Sequence, residues 1–114
     1  YINGTIPTEI GMIKSLKFFF LDHNFINGII PTEIGLIESL HFLFLSDNFL
    51  NRTIPTEVGL LSKLNGFQIF SNNIYGTIPT EIGRLQDLEQ ALNLSSNFLT
   101  GTVPSELGML RKVD

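Results

Sequence analysis

Ile6-Pro7-Thr8-Glu9-Ile10-Gly11 is a phrase that returns at residues 30–35, 54–59 and 78–83, changed only at Val58. It appears once more as Val103-Pro104-Ser105-Glu106-Leu107-Gly108. Pro7, Pro31, Pro55 and Pro79 are evenly spaced, and one extra position precedes Pro104. A fixed period of about 24 residues means stacked supersecondary units, none of which can bury its apolar face without a neighbour. Working outward from the phrase, Ile13, Leu16, Phe19, Leu21, Asn24, Ile26, Gly28 and Ile30 are echoed by Ile37, Leu40, Leu43, Leu45, Asn48, Leu50, Arg52 and Ile54. A third copy runs from Leu61 to Ile78 through Asn72, and a fourth from Leu85 to Val103 through Asn97.

These copies resemble the leucine-rich repeat, LxxLxLxxNxL, and the appended GxIPxxLG is similar to its plant-type subclass. The resemblance covers essentially the whole chain, and a combined motif at near-constant period is far more specific than one short match. It implies an α/β solenoid, a right-handed leucine-rich-repeat superhelix. In such a fold a concave parallel β-sheet is backed by short 3₁₀, helical or irregular convex segments. Residues 1–114 then read as one solenoid segment, with four full repeats of about 24–25 residues between two partial ones. Residues 1–7 match only the end of a repeat, and residues 107–113 only a beginning. Ile2, Ile6, Leu110 and Val113 are expected on open faces, as in a piece of a longer array.

Composition agrees with a buried core: 43% of the residues are apolar and 16% charged, and no uncharged apolar run is long enough to span a bilayer. Seven basic residues stand against eleven acidic ones and are scattered, so the electrostatic footprint of a nucleic-acid partner is missing. The chain has no cysteine, which leaves the redox compartment open.

Within one unit, Phe18-Phe19-Phe20-Leu21 alternates as a short strand with Phe19 and Leu21 pointing inward. Asn24, Asn48, Asn72 and Asn97 follow the strands, where an amide can satisfy the backbone of the next turn. The resemblance makes them a buried Asn ladder. Gly28, Gly76 and Gly101 mark the next bend, and Arg52 breaks the series. Either that coil bends differently, or glycine is not conformationally required there. The proline after it presets the first turn of a short helix, and Gly11, Gly35, Gly59 and Gly83 keep that helix short.

Glu9, Glu33, Glu57, Glu81 and Glu106 recur once per coil and suggest paired-carboxylate chemistry. Placement on a convex ridge argues instead for stabilisation of the positive helix end. His23 follows one strand and His41 precedes the next, so they are separated by roughly 20 Å of strand rise and make no metal pair. No phosphate loop, nucleophile elbow or catalytic trio appears, and the expectation is a non-enzyme without metal or cofactor.

The repeat register places Phe18, Phe20, Asp22 and His23 on the concave surface, beside Phe42, Phe44, Ser46 and Asp47. Gly66, Gln68, Phe70 and Ser71 follow, then Ala91, Asn93, Ser95 and Ser96. Phe18, Phe20, Phe42 and Phe44 form a two-by-two aromatic block. Two readings stay open: a partner-binding patch, or cross-strand packing that only stabilises the sheet. In the fourth copy Glu89, Gln90 and Ala91 stand where the other copies are one position shorter, and a local bulge is expected there.

Sequons stand at Asn3, Asn51 and Asn93, the first two at equivalent loop positions and the third on the concave face. Similarity to receptor-like kinase ectodomains and to secreted inhibitors of cell-wall-degrading enzymes implies an extracellular or cell-surface glycoprotein that binds a protein or peptide. Composition alone is equally compatible with an intracellular scaffold. Thr5, Thr53, Thr77 and Thr102 form an outward ladder, interrupted by Ile29, that suits either an exposed second strand or an ice-binding surface.

Overall fold

The computed structural model describes residues 1–88 and 91–109. Each coil contributes the same three pieces in the same order. The concave sheet is built from β2 (Phe18–Phe20), β4 (Phe42–Phe44), β6 (Gly66–Gln68) and β8 (Ala91–Asn93), all parallel. Its order, β2-β4-β6-β8, is chain order, because every coil lands directly on the last.

A second parallel sheet runs β1-β3-β5-β7-β9, made of Asn3–Thr5, Phe25–Gly28, Phe49–Arg52, Asn73–Thr77 and Phe98–Thr100. It supplies the second strand of each coil that the threonine row suits, beside the short 3₁₀ segments expected on the convex side. The concave sheet pairs Phe18 with Phe42, one whole repeat later, whereas the second sheet pairs Asn3 with Phe25, a slightly shorter step. The two steps differ by an even number of positions. An even offset leaves every inward side chain inward, since strand side chains alternate with period two.

Five-residue 3₁₀ turns over Thr8–Met12, Thr32–Leu36, Thr56–Leu60, Thr80–Arg84 and Ser105–Met109 close the coils. Proline stands just before each turn, not inside it, with extended backbone at Pro7, Pro31, Pro55 and Pro79. Its carbonyl accepts the first bond, as from the Ile10 N–H to Pro7 at 3.1 Å. The glycines of the phrase have a reason beyond helix length. A Cβ on Gly11, Gly35, Gly59 or Gly83 would stand only 2.6–2.7 Å from the carbonyl oxygen of the glutamate in the next coil. Glycine therefore permits the closest approach between consecutive turns.

The core is one stack of Leu and Ile rungs, among them Ile37, Leu40, Leu43, Leu45, Leu61, Leu64 and Ile69, joined by Phe67. Ile6, expected on an open face, is buried because the Ile30 coil covers it, while Ile2 stays exposed. Leu110 and Val113 lie outside the described residues, as do Glu89 and Gln90. Beyond that insertion β8 pairs Gly66 with Ala91 and Phe67 with Leu92, so the sheet continues.

Candidate recognition surface

Each concave strand is followed by a residue with left-handed backbone: His23 (φ 58°), Asp47 (56°), Ser71 (56°) and Ser96 (54°). Such a φ is strained for a residue with a Cβ. It turns the chain so that the next side chain, Asn24, Asn48, Asn72 or Asn97, points back under the sheet. Asn72 shows the result: its Nδ2 donates to the carbonyls of Leu45, Ile69 and Phe70 at 3.0, 3.0 and 3.4 Å. Its Oδ1 accepts the Leu50 N–H at 2.9 Å. Asn48 repeats the pattern with Leu21, Leu45, Ser46 and Ile26, and Asn97 with Ile69, Leu94, Ser95 and Ile74. Asn24 donates to Leu21 and Asp22 and accepts from Ile2. Each amide therefore stitches its coil to the one before it.

Arg52 adopts φ 66°, in the same region as Gly28 (82°), Gly76 (85°) and Gly101 (79°). The bend is kept and the strain accepted: the coil does not bend differently, and of the two alternatives drawn from the sequence it is the second, that glycine is not required, that holds. The glycines also leave room for a threonine of the coil before: a Cβ on Gly28 or Gly76 would lie 3.0 or 2.9 Å from Cγ2 of Thr5 or Thr53. For Arg52 the residue in the threonine's place is Ile29.

On this frame the four concave phenylalanines form two stacked pairs. Phe18 and Phe42 lie 5.7 Å apart at 10°, Phe20 and Phe44 4.9 Å apart at 13°. Tilted and edge contacts of 5.6–6.4 Å join the pairs into one cluster. Cross-strand packing is thus present, yet Phe18 and Phe20 stay 56% and 53% exposed and Phe42 and Phe44 half-buried. Gly66 is the seat of the cluster. A Cβ there would meet Phe42 Cδ1 at 2.9 Å and Phe44 Cε1 at 3.0 Å. Gln68, Phe70 and Asn93 flank it, half-buried.

Ser46 does not reach the surface: it is 0% exposed, and its Oγ has no hydrogen-bond partner among the described residues. Asp22 is half-buried because its Oδ1 accepts the Ser46 N–H at 2.7 Å, which ties one carboxylate oxygen to the backbone. Asn93 Oδ1 accepts from the N–H and Oγ of exposed Ser95 at 3.1 and 2.6 Å. Asn3 and Asn51, expected in loops, lie within β1 and β5. Glu9 is exposed, but Glu33, Glu57, Glu81 and Glu106 are half-buried against neighbouring turns. Thr8, Thr32, Thr56 and Thr80 each donate to the adjacent glutamate at 3.1–3.3 Å. His41 Nδ1 sits 2.6 Å from the Ser39 carbonyl, away from His23.

A second aromatic row is not evident as a unit from the sequence. Phe25 and Phe49 stack at 6.1 Å and 11° on the flank of the solenoid, with Tyr1 edge-on to Phe25 at 5.4 Å. The signal that could have found it is the recurrence of an aromatic residue directly after the ladder Asn at 25, 49 and 98.

A family model for the Leucine Rich Repeat matches residues 15–37 and 90–110. No curated protein matches the chain significantly. Among solved structures, the chain is similar to the ectodomain of the membrane receptor kinase GASSHO1/SCHENGEN3 from Arabidopsis thaliana, solved in complex with CASPARIAN STRIP INTEGRITY FACTOR 2. That match has 35% identity and TM-score 0.95, and covers 98% of this chain and 13% of that one. The Arabidopsis receptor kinase HAESA, in complex with the peptide hormone IDA and the co-receptor SERK1, matches with 34% identity and TM-score 0.93. It covers 98% of this chain and 19% of that one. The Arabidopsis BIR3–SERK2 complex matches at 37% identity and TM-score 0.86, over 92% of this chain and 56% of that one. The chain thus spans well under two thirds of each of these neighbours. Coil period, parallel strands, the 3₁₀ closures and these matches agree: the chain is a leucine-rich-repeat protein of the plant type.

Proposed function

We propose that the chain is a non-enzymatic recognition module that binds a protein or peptide on its concave face, in an extracellular or cell-surface setting. The observation that carries this reading is the cluster of Phe18, Phe20, Phe42 and Phe44, held in stacked pairs yet left half in solvent. Aromatic side chains fixed by their neighbours lose little entropy on binding and make favoured anchors. Solved neighbours bound to a peptide hormone and a co-receptor support a partner of this class. Phe70, Gln68, Asn93, Ser95 and the free oxygen of Asp22 supply the margin. Ser46 contributes from below, as packing.

Selection of displayed peptides against the chain, with a Phe20→Ser/Phe44→Ser variant as counter-target, tests this. Peptides that bind the chain and lose the variant support the concave site; peptides that bind both equally overturn it. Asn3 and Asn51 on the second sheet are proposed to carry glycans, which leaves the phenylalanines clear; a mass shift on enzymatic deglycosylation of secreted protein checks this. An inhibitor of a cell-wall-degrading enzyme is a second reading of the same surface. No structural feature favours the ice-binding reading, in which Ile29 still interrupts the threonine row.

A further inference from the structure

Between the concave strands and the second sheet runs a groove of about 430 Å³. One wall is the row of turn residues His23, Asp47 and Ser71; the other is the stacked pair Phe25 and Phe49. Its floor amides, Asn24 and Asn48, are committed to backbone groups. Besides the His23 and Ser71 side chains of its wall, the groove offers an occupant exposed aromatic faces, Tyr1 among them, and one carboxylate, Asp47. Asp47 Oδ2 lies 3.0 Å from His23 Nδ1, with the side chains 33% and 74% exposed. The contact is open to water and readily exchanged for a better-placed donor. No Lys or Arg among the described residues lines the groove.

The aromatic row also stops. The residue after Asn72 is Asn73, not Phe, so among the described residues no ring stacks on the face of Phe49 turned toward the third coil. A planar, weakly hydrated cation fits this environment better than a compact ammonium, since it can stack on a ring while donating in-plane to a carboxylate. We propose that this groove receives an arginine side chain of the protein or peptide partner, its guanidinium stacked on Phe49 and donating to Asp47. The inference rests on the reading of the chain as a protein-recognition module, but it uses none of the four concave phenylalanines.

Titration of the isotope-labelled chain with the capped peptide acetyl-Gly-Arg-Gly-amide, followed by NMR, tests it, with the citrulline peptide as neutral isostere. Saturable shifts at His23, Asp47 and Phe49 are expected. Affinity should fall about tenfold for the citrulline peptide and for Asp47→Asn, the loss of one charge-assisted hydrogen bond. Asn tolerates left-handed backbone, so this variant keeps the turn. Equal affinity for citrulline, an unchanged response in Asp47→Asn, or no saturable shift overturns the proposal. Retained groove binding in Phe20→Ser/Phe44→Ser separates it from the concave site. Shifts confined to Phe18–Phe20 and Phe42–Phe44 would overturn the groove and leave the concave site standing.

Discussion

Phe44 stacks on Phe20 with ring centroids 4.9 Å apart, and the same ring reaches to 3.0 Å from where a Cβ on Gly66 would stand. The two contacts fix the ring from both sides, one by attraction and one by the absence of a side chain. Glycine in a central strand is normally a weakness. Here it is the socket of the aromatic cluster.

Gly66→Ala is accordingly expected to disturb the surface more than the fold. The methyl group meets half-exposed rings that can swing outward, so the stability cost is about 1 kcal/mol, the low end for overpacking. Near-ultraviolet circular dichroism should change while the far-ultraviolet spectrum stays. An unchanged near-ultraviolet spectrum would show that the rings are not seated on Gly66.

Asn72→Ala removes three donated bonds and one accepted bond from a buried site. Orphaned buried backbone groups raise the cost well above one net hydrogen bond, to about 3 kcal/mol or more. Asn24→Ala, where water can replace the amide, should cost only about 1 kcal/mol. Urea denaturation of the two variants compares them, and equal losses would contradict the burial argument.

Gly59→Ala sets a Cβ 2.6 Å from the Glu81 carbonyl oxygen and 2.8 Å from Glu81 Cβ, where backbone must yield. A loss of about 2–3 kcal/mol is expected from such overpacking. Gly4→Ala meets nothing within 4 Å and suffers only from φ 97°, about 1 kcal/mol. Thermal melts rank the pair. A milder Gly59→Ala would mean that the 3₁₀ turns are not the tight contact between coils.

Arg52 and Ile29 line one groove of about 540 Å³ and replace the Gly–Thr contact found at Gly28, Gly76 and Gly101. Arg52→Gly relieves left-handed strain worth about 1 kcal/mol, partly offset by greater freedom of the unfolded chain. Combined with Ile29→Thr it restores the contact of the other coils. A double-mutant cycle should therefore show a coupling of about 0.5 kcal/mol or more. Additive effects would make the two departures independent.

The repeat ruler makes most of this fold legible. Inward Leu43, Leu45, Ile69 and the ladder asparagines follow directly from their phase within the repeat. Ser46 escapes it because phase gives direction but not depth: the residue points to the concave side, yet its neighbours close over it. Arg52 escapes it because a preference of glycine for positive φ is not a requirement for glycine. The flanking row at Phe25 and Phe49 is hidden by its place just after the Asn, where the amide already accounts for the pattern. The stagger of the second sheet is a matter of how successive coils lie against each other, which no single repeat encodes.

The asparagine stitches also decide how the molecule answers force. Each amide bonds only to its own coil and the one before, so tension applied between the chain ends loads these bonds one interface after another. Coils would peel off singly, each releasing roughly 80 Å of extended chain. A protein so built gives way by equal lengths, and the coils still stacked keep their ladder until their own turn comes.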